Sequence, residues 1–238
     1  MKKFTVTLSI FLCMGLFVVA CADGEDDSQT ESNKDGNIEQ TDTNSEETNM
    51  IENTGEDAEV ITIKDRTFVY NDLEFYELMN KVKIELYLEA DLKEASSDEA
   101  KERKEFWSEQ REYYDNLNVN LQSLIETYAM SLLAEEKNYF VPEDKLEASV
   151  AELTEKIEAN EAAKQLVEQY GEKKYKQYIR EYVRQITLRD RIATELKDEI
   201  IEENPDLVEQ DINYMLEQQY QDLYSAHLAT LELDIHIQ

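Results

Sequence analysis

The longest periodic pattern of apolar residues in the chain lies between Glu172 and about Glu203. Its apolar positions recur every three or four residues, which places them on one face of a helix. They are Tyr175, Ile179, Tyr182, Ile186, Ala193, Leu196 and Ile200. Arg189 interrupts this stripe, and flanking apolar residues widen it. We expect a helix roughly 45–50 Å long that meets several neighbours and extends as an arm or strut.

Helical periodicity also marks six shorter segments. They span about 71–92, 98–114, 117–138, 142–157, 162–170 and the stretch that follows Pro205. Asn71 and Glu74 have the spacing of a capping box. Pro142 suits the first turn of a helix because the missing N–H is not needed there. Gly171 is expected to end the segment 162–170 as a left-handed C-cap.

Two short regions instead have the alternation of β-strands. Val60–Ile63 and Thr67–Tyr70 flank a polar turn and predict a hairpin. Near the other end of the chain, Leu231, Leu233, Ile235 and Ile237 alternate with polar residues, which predicts a further strand. Because a strand needs a partner, we expect both regions to form one small sheet. The predicted fold is mainly α, an elongated multi-helix domain with this sheet.

The first twenty residues have the pattern of a secretory signal peptide. A basic start, Met1-Lys2-Lys3, precedes an apolar run that is too short for a comfortable membrane span. The run ends at Val18-Val19-Ala20-Cys21, which resembles a bacterial lipobox with valine in place of the commoner leucine. That resemblance implies cleavage before Cys21 and a diacylglyceryl group on its thiol, which would anchor the protein on the extracytoplasmic face of the membrane. An ordinary signal peptide with an accidental cysteine remains the alternative.

Residues 21–58 are rich in Asp and Glu and hold few large apolar side chains. Such a segment cannot bury enough apolar surface to offset the entropy of ordering, so we interpret it as a tether. Residues 59–238 are left as one folded domain, a length that supports a hydrophobic core. The formal net charge of −31 disfavours nucleic acids and anionic lipid head groups as partners.

Catalytic and metal-binding patterns are nearly missing from the sequence. It lacks glycine-rich phosphate loops, nucleophile elbows and zinc-protease motifs. His227 and His236 are the only histidines, and we interpret them as surface or strand residues; a metal site with carboxylates is the less favoured alternative. We therefore expect no enzyme activity and no cofactor.

Tyrosine, by contrast, is abundant, with fourteen in the chain. Amphipathic rings and flexible thioethers suit a surface that holds varied apolar segments. The candidate peptide-binding residues are Tyr76, Met79, Tyr87, Trp107, Tyr114, Tyr128, Met130, Tyr178 and Met215. The competing interpretation of each is an ordinary core or boundary residue.

The order of these elements resembles the N-terminal chaperone region of PrsA-type foldase lipoproteins and SurA-like chaperones. The resemblance covers most of residues 59–224. It is carried by the hairpin with Asp72-Leu73-Glu74-Phe75, by the segments Leu121–Phe140 and Val141–Val150, and by Gln169-Tyr170-Gly171 with the helix that follows. The opening turn lacks the usual Asn-Gly, and the segment 92–114 is longer and more charged than the family pattern.

The resemblance implies a chaperone-like domain that holds unfolded or partly folded secreted proteins without ATP. Family members with prolyl isomerase activity continue into a parvulin domain, whereas only 14 residues follow Tyr224; we therefore expect the peptide-holding part without the isomerase. A structural or adaptor lipoprotein that binds one defined envelope partner is the alternative. A prolyl isomerase ranks third.

Overall fold

Three short strands bring the two ends of the folded region together. In the computed structural model, which describes residues 55, 57–96 and 99–237, β1 spans Glu59–Ile63, β2 spans Arg66–Val69 and β3 spans Leu233–Ile235. The strand order is β2-β1-β3, and both pairings are antiparallel. Ile61 pairs with Phe68 on one side and with Ile235 on the other. The predicted sheet between hairpin and tail strand is thus confirmed.

The hairpin turns without a glycine because Lys64 adopts a φ of 53°. A positive φ is uncommon for a residue with a Cβ, and it allows the tight reversal between β1 and β2. The Lys64 N–H donates to the Glu232 carbonyl oxygen at 2.9 Å. The turn is therefore tied directly to the residue before β3.

Helices make up most of the described region, which confirms the mainly α prediction. They are α1 (Tyr70–Glu94), α2 (Glu99–Tyr113), α3 (Leu117–Glu136), α4 (Glu143–Ala159), α5 (Glu161–Tyr170), α6 (Glu172–Glu203) and α7 (Glu209–Leu228). No helix in this part of the chain is both long and apolar enough to cross a membrane.

The helix caps differ in detail from the sequence predictions. The N-cap of helix α1 is Val69, two residues before the predicted N-cap Asn71. The Asp72 carboxylate, rather than Glu74, accepts the Val69 N–H at 2.9 Å, because strand β2 runs straight into the helix. Pro142 is the N-cap of α4 instead of its first helical residue. Gly171 does join α5 to α6 with a positive φ of 102°.

Helix α6 has the predicted bounds but is not a projecting arm. It packs against α3, α4, α5 and α7, with further contacts to α1, and its buried residues extend from Tyr175 to Ile200. The broad apolar stripe therefore does meet several neighbours. Because these neighbours cover successive parts of the helix, α6 forms the centre of the domain.

Two groups of buried side chains lie along α3 and α6. The larger group joins the sheet to α1, α3, α4, α5 and the first half of α6. The smaller group consists of Met130, Ala134, Leu188, Ile192 and Tyr220, from α3, α6 and α7. Since α3 and α6 contribute to both groups, the two helices connect the sheet end of the domain to the α7 end.

Candidate functional site

Four of the nine candidate peptide-binding residues are part of the core. Tyr76, Met79, Tyr128 and Met130 are between 0% and 9% exposed. They lie on the inward faces of α1 and α3, where helical periodicity directs apolar side chains toward neighbouring helices. In this structure none of the four offers a contact surface to a client, which matches the competing core interpretation.

The five remaining candidates keep partial exposure, but only three lie together. Tyr178 stacks on Phe75 with ring centroids 5.4 Å apart, and Met215 lies on α7. Tyr87, Trp107 and Tyr114 lie where α2 meets α1. The Tyr87 and Trp107 rings are stacked, with centroids 5.8 Å apart.

Two further aromatic residues extend this group onto the outer face of α2. Phe106 and Tyr113 are 39% and 54% exposed. Phe106 contacts Trp107 edge to face at 5.1 Å, and Tyr113 contacts Tyr114 in the same way at 5.6 Å. We call Tyr87, Phe106, Trp107, Tyr113 and Tyr114 the aromatic edge. Phe106 and Tyr113 were not among the candidate peptide-binding residues predicted from the sequence.

Polar contacts, rather than a buried apolar face, attach α2 to α1. No described residue of α2 is buried. Arg103 and the Trp107 indole N–H both bind the Asp91 carboxylate, the latter at 2.9 Å. Arg111 pairs with Glu85, which is only 4% exposed. The rings of α2 therefore remain partly accessible because the helix is held by its charges.

A group of polar side chains lies next to the aromatic edge, between α1, α3, α6 and α7. We call it the polar cleft, and it consists of Lys83, Glu126, Tyr182, Arg189, Asp190 and Tyr220. Arg189, which interrupted the apolar stripe in the sequence, binds Asp190 at 2.6 Å and lies 3.5 Å from the Thr127 hydroxyl. The Tyr220 hydroxyl donates to Glu126 at 3.0 Å. These two contacts fix α6 and α7 against α3.

Burial shifts the protonation equilibria of the cleft strongly. Desolvation, with Arg189 nearby, lowers the pKa of Lys83 to about 8. Desolvation likewise raises the pKa of Tyr182 and Tyr220, and it raises the pKa of Tyr87 to about 12. Lys83, Glu126, Arg189 and Asp190 nevertheless keep partial solvent contact. These four side chains are therefore poorly solvated without being fully enclosed.

Two hydrogen-bond donors of the cleft have no acceptor among the described residues. The buried Tyr182 hydroxyl is one of them. The Lys83 ammonium is the other; it lies 5.5 Å from the centre of the Tyr182 ring, a cation–π contact. A buried polar group without a partner costs free energy. The Tyr182 hydroxyl is enclosed, whereas the partly exposed Lys83 ammonium can bind a carbonyl or carboxylate oxygen of a molecule at the surface.

Helices α3 and α6 pack directly on each other, so that they form no cradle between them. Of the two best-formed clefts, one of about 230 Å³ lies between β2, α1 and α6. The other, of about 400 Å³, lies between α4 and α6. The first is smaller than typical ligand pockets, and the second lies at the lower end of their range.

The two histidines lie on different elements. His227 is buried on α7, and the His236 Nε2 lies 2.9 Å from the Thr62 hydroxyl oxygen on the sheet. Among the residues that the structure places, no group of three or more His, Cys, Asp and Glu side chains could hold a metal ion. The lipid attachment residue Cys21 lies outside the described residues.

A comparison of the chain with protein-family models, curated proteins and solved structures finds no match. Functional conclusions therefore have to rest on the aromatic edge, the polar cleft and the sequence of the chain.

Proposed function

We propose that this protein is a membrane-anchored extracytoplasmic chaperone that holds unfolded secreted polypeptides on its aromatic edge. The observation that carries the proposal is the exposure of rings on a helix without a buried residue. Tyrosine, tryptophan and phenylalanine bind varied apolar segments through area rather than through one defined shape. Weak, broad binding of this kind suits a protein that must release its clients without ATP.

The polar cleft supplies the second part of the proposed interaction. The partly exposed Lys83 ammonium has no acceptor within the described region, and an extended client offers backbone carbonyl oxygens. Apolar client side chains would contact the aromatic edge while a backbone carbonyl binds this donor. The acidic surface, with a formal net charge of −31, would keep the complex soluble through electrostatic repulsion.

Aggregation of a reduced, unfolding secreted protein is the direct test. The full-length protein is expected to suppress light scattering at a stoichiometric excess. Tyr113→Ser should weaken the suppression because it removes an exposed ring from the aromatic edge. Tyr214→Ser is the matched control, since Tyr214 is an equally exposed tyrosine on α7 at 61%. No suppression at excess, or equal effects of both substitutions, would contradict the proposed site.

The alternative is an adaptor lipoprotein with one defined envelope partner. A photo-crosslinking residue in place of Phe106 separates the two functions in intact cells. A chaperone gives crosslinks to many secreted proteins, whereas an adaptor gives one dominant product. A crosslinker in place of Tyr214 controls for random collisions, because Tyr214 lies on α7 away from the aromatic edge and is the more exposed of the two positions.

The membrane anchor is proposed from the sequence alone. Cys21 would carry the diacylglyceryl group after removal of residues 1–20, with residues 21–58 as the tether. Cys21→Ser should release the protein from the membrane fraction, and labelled palmitate should no longer be incorporated. Unchanged membrane association of the serine variant would exclude the lipid anchor while leaving the chaperone proposal intact.

We further propose that the chain holds its clients without prolyl isomerase activity. No residue of the aromatic edge or the polar cleft is assigned a catalytic role. A proline-peptide isomerisation assay with the purified protein should give the uncatalysed rate. Turnover that scales with protein concentration would contradict this assignment.

A further inference from the structure

The sheet has an open edge at β3 within the part of the chain that the structure describes. In the order β2-β1-β3, the strand Leu233–Ile235 has a described partner on one side only. Leu233 is 38% exposed and Ile235 is 56% exposed, although both pair with core residues of β1. An edge strand with exposed apolar side chains is a ready template for another strand.

The hydrogen bonds to β1 determine which backbone groups face outward. The His236 N–H donates to the Val60 carbonyl at 2.9 Å, and the Glu232 carbonyl accepts from Lys64 at 2.9 Å. Residues 232 and 236 therefore point toward β1. Because backbone groups alternate in direction along an antiparallel strand, the N–H and C=O groups of Leu233 and Ile235 point to the open edge.

We propose that this edge pairs with β3 of a second copy of the chain, in antiparallel register centred on Ile235. In that register Ile235 lies opposite Ile235 of the second copy, and Leu233 lies opposite Ile237. The outward N–H and C=O groups then exchange bonds, and one apolar row runs across both strands. The two sheets become one sheet of six strands. This inference does not depend on the proposed chaperone function.

The charges along β3 select this register over its neighbour. Pairing centred on Ile235 places Asp234 opposite His236 of the second copy, a combination in which the ring nitrogen that does not contact Thr62, Nδ1, can donate to the carboxylate. Pairing centred on Asp234 would satisfy the same backbone groups but would set two Asp234 carboxylates against each other. Like charges directly opposite destabilise a strand pair. The strand is thus self-complementary in one register.

A second copy fits this edge better than an arbitrary client strand for the same reason. A client would have to match an apolar row on one face and the Asp234–His236 pattern on the other. The second copy carries both by symmetry. The same twofold relation leaves no further edge at β3, so that this contact joins two copies only.

Cysteine pairs test both the contact and its register. In the full-length protein with serine at Cys13 and Cys21, Ile235→Cys should give a disulfide-linked dimer on mild oxidation, since hydrogen-bonded partners have Cα atoms about 5.5 Å apart. Asp234→Cys is the matched control and should crosslink little. Preferential crosslinking at Asp234→Cys, or a monomer with both variants, would overturn the proposal.

Proline substitution tests the edge without breaking the sheet. Ile235→Pro removes an N–H that points outward and leaves the bonds to β1 in place. Sedimentation equilibrium should show dimer association weakened by roughly tenfold or more, because two intermolecular hydrogen bonds are lost. Circular dichroism should remain unchanged. Unaltered association of a folded Ile235→Pro variant would overturn the proposal.

An unfolded secreted protein added to the Ile235→Cys variant tests whether a client strand, rather than a second copy, occupies the edge. Disulfide-linked dimers that persist in its presence support pairing between copies. Mixed products with a cysteine-bearing client and no dimer would assign the edge to client strands and overturn the proposal.

Discussion

The lowered pKa of Lys83 makes the stability of the protein depend on pH. Desolvation lowers its pKa to about 8 in the folded protein, against about 10.4 in an unfolded chain. Between these values the unfolded chain binds a proton that the folded protein has released. Stability therefore rises with pH across this window, and below it a constant penalty remains for keeping the ammonium charged in the cleft.

Lys83→Met should remove both the penalty and the pH dependence. We expect the variant to be more stable at pH 7 by roughly 1–2 kcal/mol, after allowance for the partial exposure of Lys83. Urea unfolding at pH 8 and pH 10 compares the variant with the unmodified protein, and the gain in stability should be largest at pH 8 and smaller at pH 10. Lys173→Met, at an exposed position on α6, is the control and should retain the pH dependence. A variant with the same pH dependence as the unmodified protein would contradict the assigned pKa.

At the same scale, the sequence predicted residue types better than residue exposure. Tyr76 and Tyr113 are both tyrosines on amphipathic helices, yet one is buried and the other is half exposed. The difference arises from tertiary packing, because α1 packs against several helices whereas the main neighbour of α2 is α1. Arg189 gave the one clear signal, since a charged residue inside an apolar stripe indicates a buried polar group or an opening.

Among the elements, α2 is the helix with the weakest attachment. Its contact with α1 consists of rings and ion pairs, and none of its described residues is buried. Helices held mainly at their surface open with lower free energy than core helices. Amide hydrogen exchange should therefore be faster in α2 than in α3 or α6.

Removal of Arg111 should accelerate that exchange further. Arg111→Ala leaves the Glu85 carboxylate buried without its cation, at a cost of roughly 1–3 kcal/mol. Lys101→Ala is the matched control, because its ion pair with Glu105 on the same helix is highly exposed and contributes little. Exchange mass spectrometry of α2 peptides makes the comparison. Equal acceleration by both substitutions would show that Glu85 does not hold the helix.

Asn160 connects α5 to α1, a contact that was not predicted from the sequence. Its side-chain oxygen accepts the Ala163 N–H at 2.9 Å as the N-cap of α5. Its amide nitrogen also donates to Glu85 of α1 at 3.2 Å and to Glu89 at 2.7 Å. Asn160 is buried. Its hydrogen bonds therefore both cap α5 and attach α5 to α1.

Asn160→Ala should cost about 2–3 kcal/mol of stability, more than a cap alone. Asn116→Ala offers the matched comparison, because Asn116 caps α3 with an exposed side chain that accepts the Asn118 N–H at 2.9 Å. That substitution should cost about 0.5–1 kcal/mol. Urea unfolding of both variants gives the difference, and equal losses would mean that the contacts with α1 add nothing.

The order of elements was the most predictable part of the fold. Helix α6 and the pairing of β3 with β1 follow the predictions closely, because long periodic segments and alternating strands carry strong patterns. The cap of α1 did not follow, since a strand that continues directly into a helix changes which residue starts it. The expected arm was wrong because helix length alone does not reveal how many neighbours cover it.

For the whole folded region, the important feature is that α3 and α6 pass through both groups of buried side chains. A substitution in one group then weakens helices that also support the other. The strands at the two ends of the folded region also belong to one sheet, because β1 pairs with β3. We therefore expect the region to unfold as one cooperative unit, apart from local opening of α2.

Cavities placed in each group test this cooperativity. Met79→Ala in the larger group and Ile192→Ala in the smaller group both remove side chains that are 0% exposed, and each should cost roughly 2–5 kcal/mol. Helix α4 contributes to the larger group only, whereas Ile192 belongs to the smaller one. Because α6 belongs to both groups, Ile192→Ala should reduce the exchange protection of α4 as much as that of α7. Ile201 near the end of α6 is 41% exposed, so Ile201→Ala should change the exchange protection of α4 and of α7 only slightly. Loss of protection confined to α6 and α7 would instead show two independently unfolding halves, and the shared helices would then be a junction between subdomains rather than the centre of one.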